Sequence, residues 1–352
     1  MQKSVIQKSY FGKLKNGEKI ACYEFKNANG VTIHLLSYGL TIQKMLVPDR
    51  EGTLRDVVLG FDDIAGYESE HPYFGCLVGR NANRIKNGQV VLDGNLVQLS
   101  QNEGNNQLHS GAGFQRKVWE CEIKEDTLGQ SFLECFYEEK DGEEGFPGNL
   151  KTTVTFQLTN ENVLDMRHTA TTDATTVVNL TRHDYFNLKD GGASSILEHE
   201  VQIHAQQITE TDAEGIPTGN ILPIRGTSYD FGTNTQIQAN LNKKNPDLLP
   251  IAFDDNYVLE KAANDLAVAA KIIAPDGKRS IEIHTTQPGM QFYTGVHTKD
   301  QHGKSGVVYQ PYSGLCLEGQ HFPDAPNHPN FESSVLTEDT VYEERLQYHF
   351  GF

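Results

Sequence analysis

Apolar and polar positions alternate with period two along much of the chain, as in Val31, Ile33 and Leu35. Sustained apolar runs at i, i+3, i+4, i+7 are scarce, so strands rather than amphipathic helices are expected throughout. Asp93-Gly94 stands between Val90-Val91-Leu92 and Asn95-Leu96-Val97, turn chemistry that predicts a hairpin. A second hairpin is predicted where Pro275-Asp276-Gly277-Lys278 separates residues 268–274 from 280–284, with proline presetting φ and glycine tolerating φ > 0. Further strands are expected over 151–158, 163–171 and 175–180, and a short helix near 62–67. The strand–helix alternation of a parallel α/β fold is missing. The pattern therefore predicts an all-β fold, a large, mostly antiparallel β-sandwich. With no repeat, low-complexity tract or linker, residues 1–352 are expected to form a single domain.

Charge narrows the range of partners. Against 30 basic residues stand 47 acidic ones, a formal net charge of −17, and that field repels phosphate backbones and anionic membranes. Neither nucleic acid nor a membrane is expected as a partner. The five cysteines are widely spaced with no CxxC pair, which suggests neither a disulfide framework nor a zinc knot. They read as reduced and mostly buried. Residues 1–19 are polar and mixed in charge, without the apolar centre of a secretory signal, and no stretch resembles a membrane span. A cytoplasmic location is the expectation.

Several familiar motifs fail. Gly111-Ala112-Gly113-Phe114-Gln115-Arg116 begins like a dinucleotide loop but lacks the third glycine and a surrounding βα unit. Glu198-His199-Glu200 is not HExxH, and the histidines are scattered, so no metal is expected. Asn179-Leu180-Thr181 fits a glycosylation sequon but reads as structural. What remains are polar clusters inside strand-like stretches: residues 79–85, 107–111, 179–188, 253–257 and 314–323. Any one charge among them could be a surface group. Glu318, however, ends the apolar run Leu315-Cys316-Leu317, where an ionised carboxylate is costly unless paired or functional. His183 follows a strand-like stretch and precedes Tyr185-Phe186, a setting for a ring-binding cleft. A carboxylate and an imidazole suffice to interconvert sugar anomers. One takes the proton of the C1 hydroxyl and the other gives one to the ring oxygen, after which the open aldehyde rotates and recloses. No cofactor or covalent intermediate is needed.

In these clusters the sequence resembles the aldose 1-epimerase family, with matching segments GRNANRI, LHSG, NLTRHDYFNL, QPGMQFYTG and CLEGQHFPDAPNHPNF in the family's order from about Gly79 to Pro329. The resemblance implies a β-sandwich, a free hexose such as D-galactose or D-glucose as substrate, and neither cofactor nor metal. It implies that Glu318 is the general base on the C1 hydroxyl and His183 the general acid at the ring oxygen, with roles exchanged on closure. It further implies that Asn83, Arg84, His109, Asp254 and Gln291 bind hydroxyls, with His109 near enough to the ring oxygen to assist, and that Arg80 is structural. Two departures stand out. Asp255 occupies the position after Asp254 where histidine is common, leaving either aspartate as the sugar contact. Arg182 and Asp184 flank His183 where small or neutral residues are usual; facing the cleft they would change the acid's pKa or the sugar preference, and facing away they would do neither. Oligomeric state stays open between monomer and homodimer.

Alternatives remain. A glycoside hydrolase or polysaccharide lyase on a related sandwich would use Asp254 and Glu318 as a carboxylate pair and release reducing ends from oligosaccharides. A non-catalytic sugar-binding module would bind galactose without accelerating mutarotation. A mutarotase for phosphorylated sugars would need a local cation, for which Arg182 is the candidate.

Overall fold

The computed structural model describes residues 4–244 and 252–352. Within them, a nine-stranded antiparallel sheet runs in the order Glu120–Glu125, Ser131–Glu139, Leu150–Leu158, Val163–Thr172, Tyr342–Gly351, Ser280–Thr285, Ala267–Ile273, Glu200–Ile203, Thr235–Gln236. A five-stranded N-terminal sheet is a meander from Val5–Lys13 to Arg55–Asp56. A second five-stranded sheet has the order Pro217–Pro223, Ala205–Thr211, Asp254–Leu259, Gly289–Tyr293, Cys316–Gln320. All three contribute to one apolar cluster. Phe25, Ile33 and Met45 come from the N-terminal sheet, Val154, Met166 and Ile283 from the nine-stranded one, and Tyr257, Phe292 and Leu317 from the third.

Both expected hairpins form: Gln89–Leu92 with Asn95–Gln98, and Ala267–Ile273 with Ser280–Thr285. Asp93 at φ 50° and Gly94 at φ 76° carry the left-handed turn that the first requires. The short helix is Ile64–Glu68, capped by the Asp63 carboxylate, which accepts from the Gly66 N–H. Strands Leu150–Leu158 and Val163–Thr172 match expectation. The stretch 175–180 does not: Thr176–Val177 pairs with Val335–Leu336, and Asn179 makes an isolated parallel bridge to Asn81. Beyond it the polar groups tie loops together. The Asn179 Oδ1 accepts from the His321 N–H at 2.9 Å and its backbone N–H donates to the Arg80 carbonyl at 2.9 Å, so the sequon asparagine, 1% exposed, is structural. Cys22, Cys76, Cys135 and Cys316 are buried, Cys121 is half-buried, and all five are free thiols.

Alternation within the second five-stranded sheet prepares the site. Tyr257, Met290, Phe292 and Leu317 face the large core. Their neighbours Asp254, Gln291 and Glu318 fall on the opposite face, because successive side chains of a strand point to opposite sides.

Arg80 closes the fold elsewhere. Its guanidinium donates to Glu139 Oε2 at 2.6 Å and to the carbonyls of Pro147 and Gly148 at 2.8 and 3.1 Å, with both side chains fully buried. Removing one partner of a buried pair leaves the other uncompensated, at a cost of about 3–5 kcal/mol. Arg80→Met is therefore expected to lower the unfolding free energy by about that amount in a urea titration, and a change near zero would mean that Glu139 is protonated and needs no cation.

Candidate active site

Asn83, Arg84, His109, His183, Asp254, Gln291 and Glu318 line one cavity of about 180 Å³. Glu318 comes from the strand Cys316–Gln320, every residue of which is buried. His183 follows the two-residue strand Thr181–Arg182, which pairs with Leu77–Val78. Its N–H donates to the Cys76 carbonyl at 2.9 Å and its carbonyl accepts from the Gly75 N–H at 3.0 Å. The Thr181 hydroxyl donates to the Gly319 carbonyl at 2.9 Å, tying the histidine's segment to the carboxylate's strand. The imidazole is stacked between Tyr73 and Tyr185 with centroids 5.6 and 5.1 Å away. Its Nδ1 lies 3.4 Å from Cys316 Sγ, while Nε2 lies 3.8 Å from Glu318 Oε1.

Burial sets the proton affinities. Desolvation lowers His183 to about 3 and raises Glu318 well above the usual carboxylate range, helped by the negative charges of Asp254 and Asp184 and opposed by Arg84. Both groups are thereby driven toward their uncharged forms.

The remaining polar groups are held by one another. Asn83 and His109 have φ of 61° and 52°, a left-handed pairing in which the Asn83 N–H donates to His109 Nδ1 at 3.2 Å and the His109 N–H to the Asn83 carbonyl at 3.1 Å. With Nδ1 accepting, the neutral ring carries its proton on Nε2. Desolvation, with His183 and Arg84 nearby, holds His109 well below its ordinary pKa. Arg84 grips Glu103 with two bonds of 2.7 and 2.9 Å and stands 3.8 Å from Asp254 Oδ2. Gln291 Nε2 donates to Asp254 Oδ1 at 2.7 Å. Of the two aspartates, Asp254 lines the cavity and Asp255 does not.

His109, His183 and Glu318 bring ligand-type atoms within 4.8 Å of one another, yet the set does not suit a metal ion. His109 Nδ1 is occupied by the Asn83 N–H and Nε2 is protonated, so neither ring nitrogen offers a free lone pair.

Arg182 and Asp184 face away from the cavity. Arg182 donates to Asp184 at 2.8 and 3.2 Å and to the carbonyls of Leu40 and Gly75 at 2.5 and 2.6 Å, and the Tyr348 hydroxyl donates to Asp184 at 2.8 Å. Two corrections follow. Arg182 is committed to this buried pair and offers no phosphate contact, and Asp184, although it faces away, still acts on the site by raising the proton affinity of Glu318.

A family model described as aldose 1-epimerase matches residues 21–349. The chain is 37% identical to galactose mutarotase of Mus musculus over 348 residues, 98% of each chain, and 35% identical to that of Homo sapiens over the same length and share. It is 31% identical to aldose 1-epimerase of Escherichia coli K12 over 338 residues, 95% of this chain and 96% of that one. The chain belongs to the aldose 1-epimerase family. The fold is that of a C. elegans aldose epimerase homologue, with TM-score 0.84 at 27% identity over 98% of this chain and 99% of that one, and the class of enzyme is an isomerase acting on the anomeric centre of an aldose. As a member of this family, the chain adds residues that sequence reasoning passed over. Glu103 lies in the polar stretch Gln101–Gln107, indistinguishable from any solvated loop until folding sets it against Arg84. Tyr73, at φ 59°, and Tyr293 complete the wall; Tyr293 was visible only within the QPGMQFYTG match.

If burial governs both imidazoles, ¹⁵N NMR of the free protein should show His109 as the neutral Nε2–H tautomer, with neither His109 nor His183 titrating between pH 5 and 8. Titration of either ring near its ordinary value of about 6.5 would contradict this assignment.

Proposed function

We propose that this chain, acting as one domain over residues 1–352, interconverts the α and β anomers of a free hexose such as D-galactose or D-glucose, with Glu318 and His183 as the proton-transferring pair. The observation that carries the reading is the buried contact of 3.8 Å between His183 Nε2 and Glu318 Oε1 at the wall of a cavity that Asn83, Arg84, His109, Asp254 and Gln291 share with aromatic rings and Leu108. Ring opening needs one group to accept the C1–OH proton and another to protonate the ring oxygen; reclosure reverses both. A pair sharing one proton between two uncharged resting forms can do this without net charge change. Glu318 passes its proton to His183, then works as the base while the imidazolium works as the acid. His109 Nε2–H is a donor for the ring oxygen or an adjacent hydroxyl, and Asn83, Arg84, Asp254 and Gln291 supply further donors and acceptors. The cavity lies below the roughly 300–1,000 Å³ of pockets for drug-sized ligands, which favours one sugar ring over an oligosaccharide and so disfavours a hydrolase. No helix among the described residues is long and apolar enough to cross a membrane, which is compatible with action on a free sugar in the cytoplasm.

Polarimetry of freshly dissolved α-D-galactose and α-D-glucose tests the reading. Wild type should speed the approach to equilibrium, and Glu318→Gln and His183→Asn should each lower kcat by about 10²–10⁴-fold, the usual worth of a positioned acid or base. Binding of either sugar without acceleration would convert the reading into one of a sugar-binding module. Arg84→Met should instead act mainly on KM, raising it about tenfold or more through lost charged hydrogen bonds.

The pH profile has a required sign. Below the His183 value of about 3 both members are protonated and the base is lost, while above the raised Glu318 value the shared proton is gone and the acid is lost. The rate should therefore be bell-shaped, with a plateau extending well to the acid side of pH 6. An acid limb centred near 6.5 would show that His183 titrates as a solvated imidazole.

A further inference from the structure

The polar side chains on the cavity face of the second five-stranded sheet do not end at the cavity. Register places Asn256, Gln291 and Glu318 side by side on the strands Asp254–Leu259, Gly289–Tyr293 and Cys316–Gln320, with Val258, Gly289 and Gln320 forming the next row. Asn256 is 1% and Gln320 0% exposed. Both polar atoms of each amide lack a protein partner, as do Gln291 Oε1 and Glu318 Oε2. Buried amides without partners are rare and are normally satisfied by internal water, which needs polar neighbours and room.

Gly289, which has no side chain, lets the Asn256 amide lie close against the sheet. A Cβ at this position would lie 2.5 Å from Asn256 Oδ1 and 3.0 Å from both the Gln320 carbonyl oxygen and Phe322 Cδ1. The Asn256 amide thus leans over Gly289 toward the strand of Gln320. Gln320 lies two residues from Glu318 on the same strand, about 6.7 Å along it, and Asn256 lies two strands away, about 9.6 Å, with Gln291 between them.

We propose that Asn256 and Gln320 are positioning residues for Glu318, holding ordered water against its Oε2. The inference rests on the reading of Glu318 as a proton-transferring group. Such a group is alternately carboxylate and carboxylic acid, so its rear oxygen needs a partner that donates to the first and accepts from the second. A fixed cation or N–H would favour one state alone. An amide offers a donor and an acceptor together, and water held between two amides can turn to suit either state.

Other groups also face Glu318. Asp254, Arg84, His109 and His183 stand around the cavity, Asp184 lies behind His183, Cys316 is on the same strand, and Tyr185 and Tyr293 belong to the wall. Their charges set the baseline from which the amides are judged.

The test compares wild type with Asn256→Leu and Gln320→Met, and with Asn256→Ser and Gln320→Asn, which keep a donor and an acceptor. Without its water the carboxylate form loses a donor. The alkaline limb of the mutarotation profile should move up by about one pH unit and plateau kcat should fall about tenfold, with KM little changed. The Ser and Asn variants should recover most of both. Folded Leu and Met variants with a wild-type profile, whatever their melting temperature, would overturn the proposal and leave the amides purely structural. A crystal structure of the wild type reads the same point without reliance on activity or on variants that fold. Water bonded to Glu318 Oε2 and to either amide is expected, and a dry contact of Asn256 with Gln320 would overturn the proposal. Absence of any wild-type mutarotation would count against the function reading, while the crystallographic result would still decide the water.

Discussion

Withholding water from a carboxyl and an imidazole 3.8 Å apart is the constraint on which the rest of the site depends. In water the two would rest as carboxylate and imidazolium at slightly acid pH. With Glu318 inside a strand whose every residue is buried and His183 buried beside it, desolvation moves them in opposite directions, Glu318 up and His183 down to about 3. On the proposed reading the consequence is a pair that shares one proton and passes it either way. An acid and a base that must exchange roles within one turnover require that symmetry.

The fold sustains this arrangement through two strands, Gly289–Tyr293 and Cys316–Gln320, in which every residue is buried. Tyr257, Phe292 and Leu317 anchor one face in the main core, and period-two alternation then obliges Asp254, Gln291 and Glu318 to occupy the other. The second half of the site arrives on short segments that buried charge as well as apolar burial ties down. Arg182, paired with Asp184 and bonded to the Leu40 and Gly75 carbonyls, fixes the backbone on either side of His183 from behind. The same ion pair reaches through to the chemistry, since the Asp184 charge is one of the causes that raise Glu318. A buried pair of this kind is weak support for stability in itself; here its consequence is orientation and proton affinity.

Local pattern carried the architecture a long way. Hairpins with Asp-Gly turns and long alternating strands were legible because their signals are contained within about ten residues. The stretch 175–180 read as a strand for the same reason, but Asn179 spends its hydrogen bonds on Arg80 and His321, residues that no local window includes. Burial of Glu318 was legible in the apolar residues before it. The facing of Arg182 and Asp184 was open in the sequence, because His183 lies just beyond the two-residue strand Thr181–Arg182, too short for alternation to fix, and the long-range effect of Asp184 on Glu318 had no local signal. Glu103 had no sequence signal at all, because an acidic residue in a polar loop looks the same whether it meets solvent or a guanidinium. The choice of Arg84 over Arg80 rested on the family resemblance, and the two arginines do sit in different settings, one at the cavity and one in a closed ion pair with Glu139.

The most direct measurement is infrared difference spectroscopy of wild type against Glu318→Gln as a function of pH. Subtraction isolates the carbonyl stretch of a protonated Glu318 from that of Glu344, which burial also raises, to about 8. If burial governs the pair, the Glu318 band persists to a pH well above 4.5 and then vanishes in step with the alkaline limb of the mutarotation rate. A band lost near the ordinary carboxylate value, with the rate unaffected, would mean that Glu318 is solvated and ionised at rest and that the shared-proton account of this site is wrong.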